Sequence, residues 1–200
     1  MKIEFLLQLI KKKGTQLLLK GFICLSLIVI LPGCVFTGEK EAYRAAPYHA
    51  VTTQIPPKGV QRINVHQLKE LLLQGDVLLI DVFGALFREE SLYFDGDWLI
   101  AEARKNIPNS VWLPNVGKHS LSLVIERYFN IELQRLTDND KNKGIVFYCI
   151  EDCWMSWNAS KRALSWGYKN VMWFREGVDG WLDEGGRLQE SKPIKLPVNH

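Results

Sequence analysis

Two cysteines, Cys149 and Cys153, stand four positions apart in the stretch FYCIEDCWMSWNASKRALSWGYKNVMWF, residues 147 to 174. The run GIVFY before them is β-branched and aromatic, the composition of a central strand covered on both faces. From residue 156 onward Trp157, Ala163 and Leu164 recur at helical spacing, and Gly167 closes the run as a helix C′ residue does. Residues 149 to 155 therefore read as a strand-to-helix loop, where free backbone N–H groups and a helix N-terminus favour a thiolate. Thiols so placed support dithiol–disulfide cycling, sulfur transfer through a persulfide, or a permanent disulfide that pins the loop. A curled loop brings the two Cα atoms within disulfide reach, but a staple across so short a loop gains little entropy. Metal binding is possible too, but no second cysteine pair or nearby histidine completes a site. Two thiolates do not fill a zinc site, and His49, His66, His119 and His200 are scattered, each read as a solvated or core histidine.

The elements that must position this pair alternate along the chain. Leu68, Leu71 and Leu72 mark a helical stripe over 65–74, with Asn64 as N-cap and Gly75 as stop. DVLLIDV, residues 76 to 82, reads as a buried strand, and 83–105 is irregular and aromatic. IPNSVWLP, residues 107 to 114, is a short strand bracketed by prolines, and 120–129 a helix followed by a polar connection over 137–143. After the strand, loop and helix already described come a strand at 171–174 and a helical segment at 177–182. Such alternation implies an α/β fold, a parallel sheet flanked by helices on both faces. Ligand sites in such sheets lie at the carboxyl ends of strands, where Cys149 falls.

The amino-terminal segment has a different character. Lys2, Lys11, Lys12, Lys13 and Lys20 precede the apolar run of residues 21 to 31, then Pro32, Gly33 and Cys34 follow. This layout is that of a secretory signal, its apolar run too short to span a bilayer comfortably. It resembles a bacterial lipoprotein signal in which Cys34 is the lipidated first residue, although Pro32 departs from the pattern; an uncleaved anchor and ordinary signal cleavage are the alternatives. Cleavage before Cys34 removes Cys24, five of the 25 basic residues and one of the 22 acidic ones, so 20 face 21. The overall +3 thus belongs to the leader, and nucleic-acid binding loses its support. The organisation expected is a signal peptide over 1–33, a tether or surface-hugging extension over 34–58, a domain over 59–190 and a tail over 191–200. In an oxidising compartment the exported domain keeps only Cys149 and Cys153 as free thiols.

Over about residues 60 to 185 the chain resembles rhodanese-like domains. The residues that carry the resemblance are DVLLIDV, IPNSVWLP, Tyr148-Cys149 with its loop and helix, Gly167-Tyr168-Lys169-Asn170-Val171, and Gly177-Val178-Asp179-Gly180-Trp181. The resemblance implies that Cys149 accepts a sulfur atom as a persulfide cradled by loop amides, as in a sulfurtransferase. More narrowly, CIEDCWMSWNASKRAL with the upstream RKNIPNSVWLPNVG is similar to periplasmic proteins named for a cysteine-pair-tryptophan (CXXCW) motif. Those proteins are linked to catabolism dependent on pyrroloquinoline quinone (PQQ). That likeness implies as partners a quinoprotein dehydrogenase or a c-type cytochrome, and a membrane reached through the lipid anchor; it names no certain cofactor beyond a Cys149 persulfide and PQQ as a candidate ligand.

The loop departs from an ordinary rhodanese in ways that bear on chemistry. It is one residue longer, lacks the usual closing basic residue, and carries Glu151 and Asp152. Two carboxylates oppose a thiosulfate dianion by about 1 kcal/mol each even at high dielectric. Loop amides and the helix N-terminus return about 0.3 to 1 kcal/mol at exposed sites, so thiosulfate transfer is disfavoured and the alternatives are redox cycling, with Cys149 as nucleophile and Cys153 as resolver, or a non-catalytic binding or assembly module with a structural Cys149–Cys153 disulfide. Candidate binding residues are Trp154, Glu151, Asp152 and Ser156 at the loop and Arg104 upstream. Trp154 occupies the place of the family's closing residue. With Trp157, Trp98, Trp112, Trp173 and Trp181 it makes either an aromatic platform or ordinary core packing.

Overall fold

The computed structural model describes residues 42–75, 77–88, 97–100 and 102–196. The leader and Cys34 lie outside the described residues. Five short strands form one parallel sheet in the order β1-β8-β7-β2-β6. They are β1 (Gln61–Ile63), β2 (Val77–Asp81), β6 (Val111–Trp112), β7 (Gly144–Tyr148) and β8 (Val171–Phe174). Two antiparallel pairs lie outside this sheet: β3 (Leu86–Arg88) with β4 (Asp97–Leu99), and β5 (Arg104–Asn106) with β9 (Gln189–Ser191). These pairs occupy part of the stretch that reads as irregular. Their strands are three residues long, too short for an alternating pattern to show.

Four helices flank the sheet: α1 (Val65–Gln74), α2 (Leu123–Leu136), α3 (Trp154–Ser165) and α4 (Gly177–Asp183). Side chains of a strand alternate between faces, and two apolar layers follow from that. Ile145 and Phe147 of β7 pack with Val171 and Trp173 of β8 among Phe129 and Leu133 of α2 and Trp157 and Ala163 of α3. Val146 and Tyr148, with Met172 and Phe174, pack against Val65 and Leu68 of α1 and Val178 of α4. Both sheet faces are covered, as the uninterrupted apolar strands require.

Local signals set most boundaries. Asn64 caps α1 by accepting the Gln67 amide, while the Gln67 side chain accepts the Asn64 amide, and Gly75 ends the helix in the left-handed region at φ 76°. Helix α2 begins at the Ser122 cap and runs past residue 129 to Thr137, whose hydroxyl donates to the Leu133 carbonyl. Helix α3 begins two residues earlier than its apolar periodicity suggests, so Cys153 is its N-cap residue.

The segment before β1 is surface-hugging rather than a free tether. Arg44 exchanges two hydrogen bonds with the buried Asn158 amide, at 2.8 Å each. The Trp157 indole donates to the Ile55 carbonyl, and the Tyr48 hydroxyl accepts the His119 amide. At the other end Ile194 is tied down by its amide to the Trp112 carbonyl, and its own carbonyl accepts from Trp98 Nε1 and Tyr128 Oη. Residues 42–58 thus form a strap lying along α3.

Candidate active site

The site lies where β7 and β8 end. Cys149 follows Tyr148 at the last pairing position of β7, and its carbonyl accepts the Val178 amide at 3.0 Å. Gly177 makes this approach feasible: it sits at φ 57°, and a Cβ there would stand 2.3 Å from the Cys149 carbonyl oxygen. The loop then curls through Asp152 at φ 50° and delivers Cys153 to the start of α3. The two sulfurs come to 2.7 Å, with the Cys149 thiol donating toward Cys153. Both residues are buried, Cys149 completely, and both carry free thiols. The curled loop is what an extended strand could not provide, and disulfide formation from here needs only a small shift.

Environment separates the two thiols. Burial pushes Cys149 well above the ordinary thiol range, with its contact to Cys153 and the Asp81 carboxylate adding to the rise. Cys153 is drawn below it, first by the Cys149 thiol and then by the Met155 and Ser156 amides, against an opposing cost of burial. The Cys149 thiol, above all, therefore favours the thiolate on Cys153, the second cysteine of the pair.

The strap closes the site. His49 and Cys153 form an isolated antiparallel bridge, flanked by hydrogen bonds from the Ala50 amide to the Asp152 carbonyl and from the Trp154 amide to the Tyr48 carbonyl. Asp152 also accepts from the Thr52 amide and hydroxyl, and these contacts, the Thr52 amide foremost, hold its carboxyl below the usual range. Arg175, the residue after β8, reaches back to both Glu151 and Asp152. A single cation from elsewhere in the chain thus meets both loop carboxylates and offsets one of their two charges.

Of the other residues singled out in sequence, Ser156 faces inward: its hydroxyl accepts from Trp173 Nε1 at 2.9 Å and donates to the Cys153 carbonyl. Trp154 is half-buried, edge-on to Trp157, with the Arg44 guanidinium 5.0 Å from its ring centre. Trp98, Trp112, Trp157 and Trp173 are buried in the core. Core packing, not an open platform, accounts for them. Arg104 pairs with the fully buried Asp81 at 2.7 Å and lies over the Phe83 ring at 3.9 Å. Burial raises the Asp81 carboxyl despite this partner. Arg104 also lines a cavity of about 480 Å³ shared with Phe83, Leu99, Glu102 and Trp112. A second cavity, about 500 Å³, opens beside His49, Tyr48, Ala85, Asn115, Lys118 and Met155.

The expectation that no histidine approaches the cysteines is corrected by His49. Its imidazole and the two sulfurs lie within 4.8 Å of one another. The contact joins parts of the chain about 100 residues apart, and nothing local in the sequence announces it. Arg175 and Asn158 were missed for the same reason.

The profile of the rhodanese-like domain matches residues 64–184. The chain belongs to the rhodanese-like domain family. Solved structures to which the chain is similar include the polysulfide-sulfur transferase homodimer of Wolinella succinogenes, 19% identical, covering 66% of this chain and 80% of that one at a TM-score of 0.42. A thiosulfate sulfurtransferase of Pseudomonas aeruginosa is 14% identical, covering 72% of this chain and 22% of that one at 0.45. The human single-domain sulfurtransferase is 19% identical, covering 62% and 97% at 0.40. No curated protein matches the chain.

Asn158 ties the strap to α3 with every polar atom of its amide engaged, a third bond running to the Gly117 carbonyl. Asn158→Leu leaves the Arg44 amide and carbonyl unpaired and should cost about 1–3 kcal/mol in urea unfolding. It should also speed alkylation of reduced Cys153 at least tenfold. Unchanged alkylation would mean that the strap does not control access.

Proposed function

We propose that the chain is a rhodanese-like protein that works by thiol–disulfide exchange or sulfur transfer at the Cys149/Cys153 pair. One observation carries the reading: two free, buried thiols at 2.7 Å, one of them on the N-cap residue of a helix. The Cys153 thiolate attacks an incoming disulfide or the sulfane sulfur of a persulfide, forming a new S–S bond and expelling the donor's thiolate. Cys149 then loses its proton and attacks Cys153. In the redox case this closes the Cys149–Cys153 disulfide and releases the second half of the donor as thiol, a two-electron transfer overall. In the sulfur case the same disulfide closes and hydrosulfide leaves, the sulfane sulfur being reduced by the dithiol's two electrons; transfer to an outside thiolate acceptor instead takes the outer sulfur of the Cys153 persulfide and returns the Cys153 thiolate. The geometry favours Cys153 as the attacking sulfur and Cys149 as the resolver, the reverse of the order that the family resemblance suggests.

The same reading places the protein outside the cytoplasm, tethered by a lipid on Cys34, in the periplasm and in the service of PQQ-dependent alcohol oxidation, with a quinoprotein dehydrogenase or a c-type cytochrome as partner. The leader layout and the CIEDCW sequence support this. Three residues separate the two cysteines, one more than the two in the motif for which those periplasmic proteins are named. A binding or assembly module held by a structural disulfide is the second reading, favoured by how completely the strap covers the pair.

With a mixed-disulfide probe, Cys149→Ser should trap a stable adduct on Cys153, and Cys153→Ser should react at least a hundredfold more slowly at the buried Cys149. Equal reactivity of the two variants would exclude the assigned order, and no reaction from either would favour the binding module. For the anchor, radiolabelled palmitate should be incorporated by the full chain and lost in Cys34→Ser; label retained in that variant would rule out lipidation at Cys34.

A further inference from the structure

Beyond exchange chemistry, we infer that His49, Cys149 and Cys153 form a site for one thiophilic closed-shell cation, Zn²⁺ or Cu⁺. Their donor atoms lie within 4.8 Å of one another, and they arrive from three separate pieces of chain: the strap, the end of β7 and the cap of α3. This is what a chelate needs. The imidazole is also oriented, because His49 is fixed through its bridge to Cys153 and its ring stacks on Phe83 at 5.3 Å and 27°. Among the described residues no hydrogen bond engages its ring nitrogens, so an electron pair is available.

Donor chemistry selects the class of ion. Two thiolates and an imidazole suit Zn²⁺ and Cu⁺ and are poor ligands for Mg²⁺ or Ca²⁺. Three donors complete a trigonal Cu⁺ site, or a Zn²⁺ site with one position left for solvent or substrate. Among the described residues no fourth histidine, cysteine or carboxylate joins the group. Burial argues the same way: ionising both buried thiols places two negative charges together, which a bound cation offsets. Counted from the dithiol, binding forms two metal–sulfur bonds and releases the two thiol protons. The sulfurs must part by about 1 Å, since metal–sulfur bonds of about 2.3 Å at a tetrahedral angle set them close to 3.8 Å apart. The site uses the same two sulfurs as the exchange reading but does not depend on their cycling. It is filled only in the dithiol state, because a disulfide offers no thiolate.

The test uses the full-length chain in detergent, reduced and metal-free under anaerobic conditions. It is titrated with Zn²⁺ against a chromophoric chelator and, separately, with Cu⁺ against a Cu⁺-specific chelator. The expected result is one equivalent of at least one of these ions per chain, none on the oxidised chain, and X-ray absorption showing two sulfur ligands and one nitrogen ligand. His49→Ala should weaken the affinity at least tenfold with thermal stability retained, while His66→Ala, on the far-removed exposed α1, should leave it unchanged. Failure to bind either ion stoichiometrically would overturn the inference, as would His49→Ala binding within threefold of the parent. A pair that oxidises reversibly but binds no ion removes only this inference. An ion bound by a pair that never oxidises removes the exchange reading instead.

Discussion

Two backbone hydrogen bonds between the strap and the cysteine loop, Trp154 amide to Tyr48 carbonyl and Ala50 amide to Asp152 carbonyl, govern everything around the thiols. A helix start leaves its first amides unpaired, and a partner must be found for each. Here the first amide of α3 is satisfied by the Tyr48 carbonyl of the strap, and the Cys153 side chain makes no capping hydrogen bond. The strap thereby fixes the loop. It also brings His49 to the pair and excludes water from Cys149, so the electrostatic character of the site is set by a segment outside the sheet.

Charge balance around the pair follows from that enclosure. An unpaired buried charge is expensive, and each one near the site has a partner drawn from a distant element. Asp81, at the end of β2, is met by Arg104 of β5, and the carboxylates of the loop are met by Arg175 after β8. These pairs are buried to different degrees. The Asp81–Arg104 pair is enclosed and fixes the ends of two strands, whereas Glu151 and Asp152 are partly solvated and their pairing serves loop shape more than stability. Arg104 balances Asp81, whereas the single Arg175 offsets only one of the two loop charges, so the loop keeps a net acidic character.

The fold was legible because its signals are local. The Asn64 and Gly75 caps delimit α1, and the GIVFY and VLLID runs supply strands buried from both faces. The cysteine loop was legible for the same reason. What could not be read were contacts between segments far apart in sequence. His49 lies in a polar, proline-bearing stretch without periodicity, and its pairing with Cys153 depends on the strap's path over α3. Arg175 reads as one more surface cation until the turn after β8 directs it back to the loop. Trp154 reads as a loop residue in the family's closing position; it is instead the first residue of α3, half-buried with Arg44 against its ring.

The central claim is that the Cys149/Cys153 pair is a working dithiol poised for oxidation rather than a fixed clamp. The direct measurement equilibrates the full-length chain in graded redox buffers, alkylates it and weighs the peptide spanning both cysteines. The account predicts a reversible two-electron couple between about −120 and −270 mV, the range of exchange-active proteins. A disulfide that resists reduction below about −300 mV would contradict it.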